Sequence, residues 1–214
     1  MTTKPKRSYD SSSRKAAAAE TRQAVVRAAR ALFLENGYAG TTMPAVAKAS
    51  GVALDTVYAT VGKKPALFRL MIELALSGTD EVVAGEERDY VKAILAEPDA
   101  RHKLGLYAEG LCHLQPRLAP LFVILRAAAT LDEDLKRLWE EIADRRARNM
   151  LRFAADLAAT GQMREGLSEE RAADIIWSMN SPEFYLLLVD QRGWTPAEFS
   201  LWLAESWSAL LLKP

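Results

Sequence analysis

Few residues in the sequence suit disulfide or metal chemistry. The 214 residues include one cysteine, Cys112, and two histidines. One cysteine excludes an intrachain disulfide, and Cys112 and His113 lack the closely spaced donors that would complete a metal site. We therefore expect no metal ion and no cofactor. A free cysteine is usually a buried small hydrophobe, although a redox role for Cys112 stays open.

The sequence also lacks a long uninterrupted apolar segment. Glu, Asp or Arg residues break each candidate before the roughly 18 residues that suggest a membrane-spanning helix. Residues 1–15 do not contain the apolar stretch that a secretory signal requires. The sequence therefore predicts a cytoplasmic protein without membrane association.

Alternating strand patterns are absent too, and the nine prolines fall mostly between periodic segments, as at Gln115-Pro116. These features predict an all-α fold of about nine to ten helices. Beyond a partly irregular stretch after Ser77, we predict helices over residues 100–113, 117–130, 134–160, 168–180, 182–191 and 196–212.

The charge is divided unequally, although the chain holds 28 basic and 28 acidic residues. Residues 1–66 contain 11 Lys/Arg and 4 Asp/Glu, a net charge of +7, and the remainder carries −7. A basic head on an acidic body favours a polyanion site at one end. We predict a flexible basic arm at 1–15, a small domain at 16–66 and a larger domain at 67–214.

Two short helix patterns in the small domain meet at a glycine corner. A longer helix from about Ala16 should stop at Asn36-Gly37, and Thr42 should cap a second helix whose Val46, Ala47 and Ala49 face inward. Gly51 turns the chain into a third helix over residues 54–61, and a fourth runs from Pro65 to about Leu76. This layout predicts a helix-turn-helix that places its second short helix in the major groove of DNA.

The same segment carries a family pattern in order. It consists of Ala31-Leu32-Phe33, Gly37-Tyr38, Thr41-Thr42, Val46-Ala47, Gly51-Val52, Thr56-Val57-Tyr58 and Lys64-Pro65-Ala66-Leu67. The first 67 or so residues thus resemble the DNA-binding domain of the TetR family of bacterial transcriptional regulators. The length of the acidic remainder resembles that family's variable regulatory domain.

The resemblance implies phosphate contacts by Thr42, Tyr58 and Lys64, with Lys63 alongside, and hydroxyls and ammonium groups suit that role. The alternatives are a helix cap, a core tyrosine and a solvated lysine. Base contacts would come from the first turns of the third helix. The candidates there are Ala53, Leu54, Asp55, Thr56 and Ala59.

Several positions depart from the family pattern. Ala53 replaces the usual hydroxyl cap, so Asp55 is expected to share the capping or to complement the helix dipole. Pro44, Thr60 and Val61 also differ from common family residues. The basic arm residues Lys4, Lys6, Arg7, Arg14 and Lys15 would either enter the minor groove or remain a solubilising tail.

The last predicted helix is apolar on nearly every side, which requires cover on two faces. Together with residues of the helix at 168–180, it suggests a four-helix dimer interface, and the resemblance also implies a dimer. The predicted interface residues are Ile175, Met179, Phe199, Trp202, Leu203, Trp207 and Leu210.

Aromatic side chains at helical spacing fill the larger domain, where most are expected to be core. The family resemblance raises a ligand pocket above that expectation, with Tyr107, Phe122, Trp139, Trp177 and Phe184 as aromatic candidates. Polar residues interrupt two apolar stretches at Arg145 or Arg146 with Asn149, and at Asn180. Asn149 and Asn180 are therefore candidate ligand-binding residues, although nearby acids could instead pair with the arginines.

These features together predict a homodimeric TetR-like regulator and not an enzyme. The resemblance further implies a repressor that leaves a palindromic double-stranded DNA operator when a small, largely apolar effector binds. The alternatives are an α-helical enzyme or carrier with a vestigial DNA-binding head, and a ligand-independent architectural DNA binder. No catalytic or phosphate-loop motif supports the enzyme.

Overall fold

The computed structural model describes residues 11–214, with side chains from Arg14 onward. This part of the chain contains ten α-helices, one short 3₁₀ turn and no strand, only an isolated bridge between Met163 and Leu212. It divides into two compact units, up to Met71 and from Ile72 to Pro214. The all-α prediction is confirmed, and the division falls inside a helix a few residues beyond the predicted boundary.

The first unit consists of α1 (Ser11–Gly40), α2 (Met43–Ser50), α3 (Leu54–Val61) and the start of α4 (Lys64–Ser77). α1, α2 and α3 pack on one another. Their shared core contains Val25, Ala29, Phe33, Val46, Val57 and Val61. Phe33, Tyr38 and Phe68 form an aromatic cluster with ring centroids 5.1–5.8 Å apart.

The first helix begins earlier than predicted. The sequence predicts a flexible arm through residue 15, yet α1 starts at Ser11, so Arg14 and Lys15 are helical and exposed. The alanine run that follows has the highest helix propensity, and propagation of an existing helix costs little. The other three arm candidates, Lys4, Lys6 and Arg7, lie outside the described residues.

Gly37 interrupts α1 at the predicted stop. Its φ of 66° and ψ of −176° are non-helical. α1 therefore consists of a long helix and a short segment that continues to Gly40 beyond this kink. Thr41 holds the bend, because its buried hydroxyl lies 3.0 Å from the Leu32 carbonyl oxygen and 2.8 Å from that of Gly37. The chain therefore turns into α2 over a hydrogen-bonded corner.

The corner between α2 and α3 follows the prediction. Thr42 caps α2 by accepting from the Ala45 amide at 3.3 Å. Gly51 ends α2 in the left-handed region at φ 69°, and the Val52 amide donates to the Ala47 carbonyl at 3.1 Å. Val46 and Ala47 are buried as predicted, but Ala49 is exposed because it falls on the outer face of the helix.

The second unit contains the end of α4 and all later elements. These are the 3₁₀ turn Gly85–Glu87, α5 (Asp89–Ala96), α6 (Ala100–Ala128), α7 (Glu133–Ala159), α8 (Glu169–Met179), α9 (Pro182–Val189) and α10 (Pro196–Leu211). α10 packs mainly on α6, and α7 packs on α8. None of the described helices is long and apolar enough to cross a membrane.

Two helix predictions in this unit were wrong. α5 was not predicted, because its eight residues span little more than two helical turns, too few for a repeating pattern to stand out. The helices predicted over 100–113 and 117–130 are one helix, α6, which contains Pro116 and Pro120. An interior proline normally costs about 3 kcal/mol, so the buried apolar stripe of α6 must outweigh that penalty.

Candidate DNA-binding face and ligand cavity

α3 presents one buried face and one open face. Val57 and Val61 are buried against α1 and α2, whereas Asp55, Thr56 and Ala59 are exposed and Leu54 is half-buried. Ala53 precedes the helix and is exposed as well. The five predicted base-contacting residues therefore retain side-chain surface that could meet a DNA groove.

The start of α3 has no side-chain cap. Ala53 occupies the N-cap position and no side chain accepts from the first-turn amides there. Of the two roles expected for Asp55, a share in the capping and complementation of the helix dipole, only the second fits this helix start. Its carboxylate lies in the first turn, where the helix dipole still favours negative charge.

The predicted phosphate-binding residues flank this open face in sequence. Tyr58 is 42% exposed, which excludes the alternative of a core tyrosine. Thr42 is exposed while it caps α2, and Lys63 is exposed just before α4. The Lys64 ammonium lies 4.2 Å from the centroid of the Tyr38 ring, which restricts where its charge can point.

A cavity of about 640 Å³ opens in the second unit among α6, α7, α8 and the start of α9. Phe122, Trp139 and Trp177 provide aromatic walls. The remaining lining residues are Arg126, Ala129, Thr130, Lys136, Glu140, Ala143, Arg146, Ser178, Ser181 and Glu183. The volume and the mixture of aromatic and polar groups suit a small organic molecule.

Arg146 connects the cavity to a buried polar network. Its Nη2 donates to the Asn180 Oδ1 at 2.6 Å and to the Trp177 carbonyl at 2.9 Å. The Asn180 amide donates in turn to the Tyr107 hydroxyl at 2.7 Å and to the Met150 Sδ at 3.0 Å. The Gln115 side chain donates to the Asn180 carbonyl at 2.7 Å. The α8–α9 junction at Asn180 is thereby fixed to α6 and α7.

Burial shifts the pKa values of two members of this network. Desolvation raises the pKa of Tyr107, a shift that Tyr90 reinforces and that Arg146 and Asn180 oppose. Desolvation also lowers the pKa of Arg146, opposed by Tyr107 and Glu183. The Tyr107 hydroxyl therefore stays protonated, and Arg146 is a cation with much of its hydration removed.

Only some of the predicted ligand-binding residues lie in the cavity wall. Phe122, Trp139 and Trp177 line the cavity, whereas Tyr107 and Asn180 lie one layer behind Arg146. Phe184 lies outside it, where its ring stacks on Trp202 at 5.5 Å.

Asn149 does not belong to the cavity. The prediction was wrong, because Asn149 is exposed on α7 and is not among the residues that line the cavity, although it lies only three residues after Arg146. Arg126, Lys136 and Glu183 also line the cavity, but nothing in the sequence distinguishes them from ordinary surface charges.

The predicted dimer-interface residues also separate into two groups. Phe199, Leu203 and Trp207 are fully buried within the protomer, so they have no surface to offer a partner and that prediction was wrong. They pack inward because α10 covers α6, and Trp207 stacks on Tyr107 at 5.5 Å. Ile175, Met179 and Trp202 are half-buried, and Leu210 is exposed.

Cys112 is half-buried on α6, and desolvation, reinforced by Glu109, raises the pKa of its thiol. A raised pKa lowers the thiolate fraction and therefore the reactivity of the sulfur. Across residues 11–214, no group of three or more His, Cys, Asp or Glu side chains is placed to hold a metal ion.

One unit is a helix-turn-helix with an exposed face on its second short helix, and the other unit contains a cavity of ligand size. Residues 25–71 match the sequence profile described as bacterial regulatory proteins, tetR family. This match covers the helix-turn-helix segment, from within α1 to within α4. Among curated proteins, none matches the chain significantly in sequence.

Solved structures agree with this identification at the level of the fold. NalD, the secondary repressor of the MexAB-OprM multidrug efflux pump in Pseudomonas aeruginosa, is 21% identical, with a TM-score of 0.69 over 91% of this chain and 97% of NalD. A TetR transcription regulator from Haloarcula marismortui is 15% identical, with a TM-score of 0.66 over 90% and 98%. The SmeT–triclosan complex is 19% identical, with a TM-score of 0.62 over 90% and 92%. The chain has the fold of TetR-family transcriptional regulators.

Proposed function

We propose that the chain is a cytoplasmic, homodimeric transcriptional repressor that binds a palindromic DNA operator through α3. The observation that carries the proposal is the two-sided α3, with Val57 and Val61 anchoring it while Asp55, Thr56 and Ala59 stay exposed. A rigid helix with an open face is what direct readout in the major groove requires. Lys63, Lys64, Tyr58 and Thr42 would fix its register on the phosphates.

A dimer follows from the small size of this reading surface. One short helix contacts few base pairs, whereas a two-fold pair reads two half-sites. The apolar surface left on α8 and α10 supports an interface through Ile175, Met179, Trp202 and Leu210. Leu201, which is 62% exposed on α10, extends that surface.

Ligand control would originate in the cavity of the second unit. NalD is a repressor by description and SmeT was solved with triclosan, which supports the same arrangement in this chain. A small, largely apolar ligand that fits the cavity better in the DNA-incompatible state would weaken operator binding. Coupling free energies of this kind are typically about 1–3 kcal/mol.

The charge pair between Arg145 and Glu73 offers a route from α7 to α4. The Arg145 Nη2 lies 2.8 Å from the Glu73 Oε1, and both side chains are largely withdrawn from solvent. α4 continues from Lys64 to Ser77 without a break. A ligand that displaces α7 would therefore also displace α4, the helix that leads back to the DNA-binding unit.

The test is selection of binding sites from random duplex DNA, followed by fluorescence anisotropy on the enriched sequence and on DNA upstream of the chain's own gene. We expect a two-fold symmetric site that withstands competitor DNA. Ala59→Glu should abolish the complex by placing a carboxylate on the exposed face of α3. Ala147→Glu, a matched change at an exposed alanine of α7, should leave binding unchanged.

Two results would contradict the proposal. Binding that is purely non-specific and equally sensitive to salt on every sequence would favour an architectural DNA binder. An absence of DNA binding at low salt would favour a carrier or enzyme with a vestigial head.

A further inference from the structure

The charges that line the cavity differ in whether they are compensated. Arg126 lies 3.5 Å from the Glu183 carboxylate and Lys136 lies 3.9 Å from that of Glu133. Glu140 is exposed, so water solvates its charge. Arg146 differs from these residues, since no carboxylate lies within ion-pairing distance of it among the described side chains, and Glu183, which favours its charge from farther away, is paired with Arg126.

The hydrogen bonds of Arg146 leave part of its guanidinium available. Both bonds, to Asn180 and to Trp177, are made by Nη2. The plane also lies against the Trp177 ring, 4.9 Å from its centroid. Nε and Nη1 are not used in these contacts, and Arg146 lines the cavity.

Arg146 is half-buried and partly desolvated, and it has no carboxylate within ion-pairing distance, which is costly for a cation; a ligand that supplies a negative charge there recovers part of that cost. The Arg146 side chain is also held from behind by the Asn180, Tyr107 and Met150 network. Its orientation is therefore fixed before a ligand arrives, which reduces the entropy lost on binding. A guanidinium held in this way favours a planar carboxylate over a point charge.

The rest of the cavity is suited to an apolar body. Phe122 and Trp139 pack with ring centroids 5.6 Å apart, and Trp177 lines the cavity with them. From this combination, and resting on the proposed role of the cavity as the effector site, we propose that the effector is an organic anion. Its carboxylate binds Arg146, and its aromatic or otherwise apolar body lies against Phe122, Trp139 and Trp177.

The test uses aryl carboxylates of increasing size, each with its neutral amide and its aryl-methylammonium counterpart. Benzoate, 2-naphthoate and anthracene-9-carboxylate cover a range that a cavity of about 640 Å³ accommodates. Binding to the full chain without DNA is followed by tryptophan fluorescence and calorimetry. We expect at least one carboxylate to bind about 10- to 100-fold more tightly than its amide, and the ammonium compound to bind most weakly.

Variants assign this preference to one side chain. Arg146→Met should remove it, and Arg146→Lys should keep part of it, because the charge remains while the planar fork is lost. Arg148→Gln removes an exposed arginine from the same helix and should change nothing. Circular dichroism melts check that each variant is folded, since Arg146 also holds Asn180; if Arg146→Met does not fold, the Arg146→Lys comparison decides.

The proposal is overturned if no carboxylate of the series binds more tightly than its amide, or if Arg146→Met retains the preference. Because binding is measured without DNA, this outcome is separate from the proposed function. A chain that shows the charge preference but never leaves its operator would refute ligand-released repression and keep this inference. A chain that neutral compounds alone release from its operator would support ligand-released repression and refute this inference.

Discussion

Lys63 is the residue whose contribution to DNA binding is simplest to isolate, because it is exposed between α3 and α4. We expect Lys63→Ala to weaken binding about three- to tenfold on every sequence and to reduce the slope of log K against log salt by about 1. Fluorescence anisotropy at several salt concentrations measures both. Lys92→Ala, at an exposed lysine of α5, should change neither, and a loss confined to one operator sequence would show that Lys63 reads bases.

Thr41 acts through a buried hydroxyl and not through DNA. Its Oγ1 reaches the Leu32 and Gly37 carbonyls at the bend that ends α1. Thr41→Val keeps the shape but removes the hydroxyl that lies against these two carbonyls, so we expect a loss of about 1–3 kcal/mol in the free energy of unfolding. Urea denaturation followed by circular dichroism measures it, because the five tryptophans all lie beyond residue 138.

The control for this change is Thr130→Val. The Thr130 hydroxyl also donates to a backbone carbonyl, that of Ala127, but it is exposed to solvent. Water replaces such a bond, so stability should change little. Equal effects of the two substitutions would show that the Thr41 hydroxyl does not stabilise the corner.

Among the helices, α6 shows what the sequence could and could not predict. The positions of α2, α3 and α4 followed from caps and glycine turns, which are local features. Pro116 is also a local feature, and it predicted a break that packing of α6 against α10 overrides. Long-range burial of this kind has no signature in the spacing of residues along one helix.

Pro116 therefore provides a stability prediction. It is exposed, so Pro116→Ala leaves no cavity and restores an amide that can donate to the Cys112 carbonyl. We expect a gain of at least about 1 kcal/mol, reduced somewhat by the greater freedom of the unfolded chain. Urea denaturation followed by tryptophan fluorescence measures it. Pro196→Ala, in the first turn of α10 where no helical bond is missing, should give no gain. A destabilised Pro116→Ala variant would mean that α6 needs the proline.

For the whole molecule, the residues that cover α10 decide the oligomeric state. The sequence indicated correctly that α10 is apolar on nearly every side, yet it could not tell which side faces the protomer's own core. The prediction places Phe199, Leu203 and Trp207 in the dimer interface, but they are buried in the protomer, where α10 packs on α6. Prediction of the cavity met the same limit. Its aromatic walls could be predicted from the sequence, but its charged lining residues could not be told apart from ordinary surface charges.

The remaining apolar surface leads to the dimer prediction. Leu201→Glu changes a side chain that is 62% exposed, so folding should be unaffected, while a buried carboxylate would disrupt the interface. We expect sedimentation at micromolar concentration to show a dimer for the parent chain and a monomer for the variant. Leu131→Glu, at a leucine that is 88% exposed between α6 and α7, should remain dimeric. A parent chain that sediments as a monomer would refute the interface altogether.

Arg145 and Arg146 are adjacent in the sequence, but their side chains contact different parts of the molecule. One is tied to Glu73 at the far end of α4, and the other faces the cavity from the same turn of α7. No chain of intermediate residues is needed between the two, since rotation of α7 as a rigid body moves both side chains together. A ligand as small as a single aromatic ring would therefore displace the Arg145–Glu73 ion pair, and with it α4, by rotating α7 through a few degrees.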